Sequence, residues 1–335
     1  MLLTLAGERR VLFVGGKGGV GKTSVTSAFA LARAREGGRV LIVSTDPAHN
    51  LGHIWNRRLS DSVTRVFTAA AGASTAGTAP AGFVDAVEID PHASIERHFA
   101  AVSATMMKLL PERSHRSAKA HLELAKSAPG SHESAVLERV AELLTLGLDD
   151  YDLVLFDTAP SGHTLHLLGL PGKLTGWTES LLTNRSRSDR FAAAARGVVG
   201  GEKPAAAAAD AELRRTLLAR RDRFSRMNTT ITDGTVTGFV VVTVAERMPV
   251  AESLDIVRQL HGLGVDVASV VVNRRSPGDA GAFLAERRGH EDECLRELRT
   301  SLRDVPTIEL PLLVRDLTGD DALGELADLL AAAGS

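Results

Sequence analysis

The octapeptide Gly16-Lys17-Gly18-Gly19-Val20-Gly21-Lys22-Thr23 constrains this chain more than any other segment. It fits G-x-x-x-x-G-K-[ST], follows the strand-like run VLFVG and opens a helical pattern, the context that makes such a motif a phosphate loop. Its glycines let the backbone curl so that successive N–H groups, at the positive end of the following helix, point at phosphate oxygens. In that cradle Lys22 reaches the β- and γ-phosphates of a nucleotide and the Thr23 hydroxyl ligates Mg2+. Gly16, Gly18, Gly19, Val20, Gly21 and Ser24 supply the remaining expected phosphate contacts.

A phosphate loop of this kind belongs in an α/β sheet, and the rest of the sequence agrees. Short, near-continuously apolar runs at Arg10–Val14, Val40–Thr45, Phe83–Ile89, Leu153–Asp157, Thr237–Val244, Ser269–Asn273 and Thr307–Leu310 suit parallel strands buried on both faces. Helical patterns lie between them at Lys22–Arg35, Pro249–Leu260, Ala280–Ser301 and Ala322–Leu330. The expected architecture is a doubly wound, mostly parallel sheet in one P-loop domain over residues 1–335. Two mostly helical insertions, about 92–147 and 162–230, interrupt the alternation and form a subdomain. Small-residue stretches at 68–82 and 197–210 read as a loop and a flexible joint.

Composition removes several function classes. A formal net charge of −2 leaves no long-range electrostatic case for nucleic acid or an anionic membrane surface. One cysteine, Cys294, rules out an internal disulfide framework and any multi-thiolate metal site within one chain. No apolar run approaches the roughly 20 residues of a membrane span, so direct membrane insertion is not expected. The start, MLLTLAGERR, lacks a signal-peptide pattern, and the expected location is cytoplasmic.

Lys17 makes the loop K-G-G-V-G-K-T, the deviant Walker A form. It resembles the signature lysine of nucleotide-dimerised ATPases, which reaches the phosphates of the opposing subunit; the alternative is a solvated loop lysine. Downstream, the strand VLIVST runs into Asp46-Pro47-Ala48-His49-Asn50-Leu51, and DLVLF delivers Asp157-Thr158-Ala159-Pro160-Ser161-Gly162-His163-Thr164-Leu165. With these motifs the chain resembles the ArsA family over nearly its whole length. That group comprises arsenical pump-driving ATPases and ATPases that target tail-anchored membrane proteins.

The resemblance implies ATP hydrolysis, with Lys17, Lys22 and Asp46 as the catalytic set. Pro47, Ala48, His49 and Asn50 would form a first switch, and Thr158, Ala159, Pro160, Ser161, Gly162 and His163 a second. Asp46 would orient or activate the attacking water, and Asp157 would stand in the Mg2+ shell, the aspartates acting through water. Taken alone, Asp46 reads equally as a helix cap and Asp157 as a turn cap. Asn273 resembles the family's adenine-contacting asparagine, and Pro311, Leu312 and Leu313 its adenine loop. An amide pairs with adenine's N6 and N7, and the absence of an NKxD reader favours ATP over GTP. Three positions drift from the family pattern: His166, Asp316 and Thr318.

A single P-loop with a cross-acting lysine implies a homodimer, or a heterodimer with a paralogue. The leading expectation is a dimeric switch that couples ATP-driven closure to holding a hydrophobic client helix of a membrane protein. The stripe Ile95, Phe99, Val102, Met106 and Leu109 or Leu110, with Met107 alongside, would line the groove, or else pack as an ordinary core helix. A second expectation is a soluble subunit energising a membrane transporter that exports arsenite or another anion. The thiol count speaks against arsenite, which wants about three soft thiolates. A third is a partitioning-type regulatory ATPase, which the two switch motifs disfavour. No zinc is expected, because the CxxC pair of eukaryotic targeting factors is missing. The pairs His49/His53 and His163/His166 have spacings that suit a metal, but switch hydrogen bonds are the favoured role.

Overall fold

The computed structural model describes residues 8–46, 50–69, 81–109, 112–126, 131–158, 168–169 and 204–332. Eight strands form one sheet: β1 Val11–Gly15, β2 Arg39–Ser44, β3 Thr64–Thr68, β4 Phe83–Glu88, β5 Leu153–Asp157, β6 Thr237–Val244, β7 Val267–Arg275 and β8 Thr307–Pro311. Their spatial order is β3-β4-β2-β5-β1-β6-β7-β8, parallel throughout except that β3 runs antiparallel along β4. From the centrally placed β1 the chain first winds toward β2 and later returns toward β6. Such divergence opens a crevice beyond the carboxyl ends of the strands.

The apolar runs become strands because both faces of the sheet are covered. Every residue of β1 and β5 is buried, as is every residue of β6 but Val244. On one face Leu12, Val14, Val40, Ile42, Leu155 and Val240 pack against α1 (Lys22–Arg35) and the C-terminal helix. On the other, Phe13 stacks on Phe156 at 4.6 Å between ring centroids.

One strand escapes the sequence pattern. In β3 only Val66 is fully buried, so TRVFT carries none of the continuous apolar signal of its neighbours. It is an edge strand with a bulge between Arg65 and Phe67, and such edges are half-solvated.

The chain divides into two compact units, residues 1–90, 142–166 and 230–335 on one hand, 91–141 and 167–229 on the other. The first holds the sheet with α1, α2 (Asn50–Ile54), α7 (Arg247–Gly262), α8 (Ala282–Ser301) and α9 (Gly319–Ala332). The second holds α3 (Pro91–Leu109), α4 (Glu112–Lys126) and most of α5 (Ser131–Asp150) and α6 (Pro204–Thr232). Within it Ile95 and Phe99 pack on Leu122 and Ala135, with Val102 against them. The first half of the expected client stripe is therefore internal core rather than open groove. Met107 is half-buried, and the Met106, Leu109 and Leu110 side chains lie outside the described residues.

The expected joint at 197–210 is also corrected from residue 204 onward. Proline sits at the first helical position of α6 and an alanine run follows, the residues that start and propagate helices best. No helix among the described residues is long and apolar enough to cross a membrane.

Candidate active site

The phosphate loop leaves β1 at Gly15 and enters α1 at Lys22. Its shape needs glycine at two points where a side chain has no room. Gly16, at φ 149°, lies so near the Val242 carbonyl oxygen that a Cβ would collide with it. Gly21, at φ 95°, is the left-handed residue before the helix, and a Cβ there would strike the Asn273 amide. The loop is thus wedged between β6 and the end of β7, with its N–H groups free of the helix ladder.

Lys22 is 6% exposed, and its Nζ donates to the Lys17 carbonyl oxygen at 3.2 Å. Burial lowers the pKa of this ammonium, while the Asp157 and Asp46 carboxylates pull it back up. Those two aspartates come from the ends of β5 and β2, strands that pair in parallel register. The Asp46 N–H donates to the Ser44 hydroxyl at 3.3 Å.

Asp157 is the most perturbed group of the site. At 1% exposure its pKa is pushed up to about 7, chiefly by burial. The Thr23 hydroxyl and Lys22 act in the opposite direction, and the Asp46 and Glu88 carboxylates add to the rise. Thr23 is close enough to favour the charge, yet neither Asp157 oxygen has a properly formed hydrogen bond among the described residues. A buried carboxylate without partners is costly unless something else binds it. A hard, oxygen-seeking cation meets that need, so the donor set of Thr23 and Asp157, with Asp46 nearby, fits Mg2+. No group of three or more His, Cys, Asp or Glu side chains gathers among the described residues.

The raised pKa has a stability consequence. Between pH 3.8 and 7 the folded protein holds a proton on Asp157 that the unfolded chain has released, so stability falls as pH rises through that window. Asp157→Asn is expected to unfold at a higher temperature than the wild type above pH 7, without nucleotide or Mg2+. The gain should fade as the pH is lowered toward 4. Thermal melts at several pH values check this, and a variant no more stable at pH 8 contradicts it.

The residues expected on the nucleoside side belong to β7 and β8 and the turn after β8. Asn273, 5% exposed, donates from Nδ2 to the Val20 carbonyl oxygen at 2.9 Å, and its Oδ1 accepts the Arg274 N–H at 2.9 Å. One amide hydrogen and one lone pair remain for a base. Pro311 ends β8, the Leu312 N–H donates to the Arg275 carbonyl oxygen at 2.9 Å, and Leu313 packs on the core. Arg275, further along β7 and 2% exposed, meets Glu291 at 2.6 Å, Glu309 at 2.7 Å and Asp292. Glu291 also accepts the Ser276 hydroxyl at 2.6 Å. This cage, buried at Arg275 and Glu291, ties β7, β8 and α8 together.

Lys17 stands apart from Lys22. Its Nζ pairs with Glu252 on α7 at 2.7 Å, both side chains about a third exposed. A cavity of about 340 Å³ opens beside it, lined by Gly18, Gly19, Met248, Pro249 and Arg287 among others.

The structure therefore brings together Gly16–Ser24, Asp46, Asp157, Thr158 and Asn273, with Pro311–Leu313 on the β7–β8 side. Thr158 is buried and donates its hydroxyl to the Val14 carbonyl oxygen at 2.8 Å, holding the start of the expected second switch to β1. Asn50 opens α2 and is exposed. Pro47, Ala48 and His49, and Ala159 through His163 with His166, lie outside the described residues. Glu88, buried at the end of β4, was not singled out in the sequence, where it reads only as the close of an apolar run.

Comparison with known proteins adds to this geometry. The profile of a family described as Anion-transporting ATPase matches residues 9–332. A protein of Aquifex aeolicus named "Putative arsenical pump-driving ATPase 2" is 26% identical over 322 residues, 96% of this chain and 99% of its own length. "ATPase get3" of Aspergillus terreus is 30% identical over 333 residues, 96% of this chain and 90% of its own. "ATPase ASNA1 homolog 1" of Paramecium tetraurelia is 28% identical, with 95% and 91% covered.

Proposed function

The chain belongs to the anion-transporting ATPase family and is an ATPase; from that premise we propose that it works as a nucleotide-closed dimer handling a hydrophobic segment of a membrane protein. The observation that carries the dimeric part is the separation of the two loop lysines. Lys22 is buried against its own aspartates, while Lys17 lies a third exposed at the loop's outer edge, where it is available to a facing copy.

In this reading the loop N–H groups and Lys22 hold the triphosphate, and Thr23 and Asp157 would hold Mg2+, which would supply charge neutralisation at the phosphates. Asp46 aligns a water with the γ-phosphate, positioning being most of what phosphoryl transfer requires. Lys17 exchanges Glu252 for the phosphates of the opposing subunit, and hydrolysis lets the pair separate.

The client assignment is supported by near full-length likeness to relatives named get3 and ASNA1, and by the single cysteine, half-buried on α8. A second reading, an ATPase that drives an anion exporter, is favoured by the Aquifex relative's printed name. The two separate in solution. A client with a C-terminal membrane helix should co-elute in an ATP-dependent way, whereas arsenite or antimonite raising turnover several-fold would favour the exporter. For the dimer, light scattering with Mg2+ and a non-hydrolysable ATP analogue should give twice the protomer mass, and Lys17→Ala the protomer mass. Full specific activity at any dilution in a preparation that scatters as a protomer removes the dimeric mechanism.

A further inference from the structure

The registers of three strands place one more carboxylate on the phosphate face. Glu88 pairs across to Ser44, Ser44 to Asp157, and Asp157 to Val14. Residues in register on neighbouring parallel strands project to the same side, and Val14 packs in the core formed with α1. Glu88 therefore shares the side of the sheet that carries α1, at the strand ends from which Asp157 and Asp46 come.

Its bonds are specific. Glu88 is 4% exposed, and its Oε1 accepts the Gly52 N–H of α2 at 3.0 Å. Its own N–H donates to the Ser60 carbonyl oxygen at 3.0 Å, on the segment that leaves α2. One residue thus fastens the stretch after Asp46 at two points. Gly52 has no room for a side chain, since a Cβ there would lie 2.7 Å from the Arg57 carbonyl oxygen. Leu51 and Trp55 anchor the same turn in the core. From Asp46 to Asn50 is four residues, a tether of at most about 14 Å. Where α2 sits therefore limits where the Asp46 carboxylate can go.

We propose that Glu88 is a positioning residue of the hydrolytic site, holding α2 and, through the short tether, Asp46 in place over the phosphate loop. The inference rests on the role given to Asp46 above. Glu88 acts as a hydrogen-bond acceptor of fixed length rather than as a charge, a base or a metal ligand.

The experiment compares Glu88→Gln, Glu88→Asp and Glu88→Ala, measuring kcat and the affinity for Mg-ADP, with Asp46→Asn alongside. Gln keeps an oxygen at the right reach, so kcat should stay within about threefold of the wild type, whereas Asp and Ala should lose tenfold to about a hundredfold, the scale of a misplaced reacting group. Mg-ADP affinity should hold in all three, because the phosphate loop is built elsewhere. In an Asp46→Asn background Glu88→Ala should cause no further loss, since it acts through that residue. An active Asp variant with an inactive Gln variant would show that the charge matters and overturn the proposal. So would full activity in Glu88→Ala, or a joint loss of kcat and Mg-ADP affinity. Should Asp46→Asn itself turn over normally, the Asp46 role falls and takes this inference with it. A slow Asp46→Asn beside a fully active Glu88→Ala rejects the Glu88 role alone.

Discussion

Lys22→Ala abolishes nucleotide binding: titration with a fluorescent ATP analogue should show no saturation at concentrations that fill the wild type. Two effects add. The ammonium is buried at the mouth of α1, so its charged bonds to phosphate form away from water, where each is worth about 1.5–3 kcal/mol. Two such bonds correspond to at least about a hundredfold in affinity. The substitution also leaves Asp46 and Asp157 facing an incoming triphosphate without the cation that now offsets them. A variant that keeps affinity within about fivefold of the wild type, roughly 1 kcal/mol, would mean that the loop N–H groups do the binding alone.

Asp46→Asn separates binding from chemistry. Asparagine has nearly the same shape, so the phosphate loop and Asp157 keep their geometry and ATP should bind with ordinary affinity. The amide cannot take a proton or hold water as a carboxylate does, and hydrolysis should slow by at least about a hundredfold, the general-base scale. Single-turnover hydrolysis with the protein in excess reads the chemical step directly. Unchanged turnover would remove Asp46 from the mechanism.

Much of this was legible in the sequence because the buried strands announce themselves as continuous apolar runs. LVLFD and TGFVVVTV have the expected bounds, and helix Lys22–Arg35 starts and ends as its pattern says. Strand β3 was not, since only Val66 is fully buried along a solvated edge and its residues resemble a loop. The stripe at Ile95, Phe99 and Val102 showed an amphipathic helix but not its partner. Only the positions of Leu122 and Ala135 reveal that its apolar side is filled from within the same unit. Of the site, the phosphate loop is local in sequence and so easily read. Glu88 is not, because its relation to Asp157 passes through the pairing of β4 with β2 and of β2 with β5. An acidic residue closing the apolar run FVDAVE was the single available hint.

The ion cage around Arg275 and the pair Lys17–Glu252 respond differently to dissolved electrolyte. Mobile counter-ions weaken charges that face water and scarcely reach those sealed from it. As ionic strength rises, the Arg275–Glu291 pair, with side chains 2% and 5% exposed, keeps its strength while the grip of Glu252 on Lys17 slackens. If Lys17 meets a second copy as proposed above, added salt should tune that meeting while leaving the tie between β7 and α8 intact.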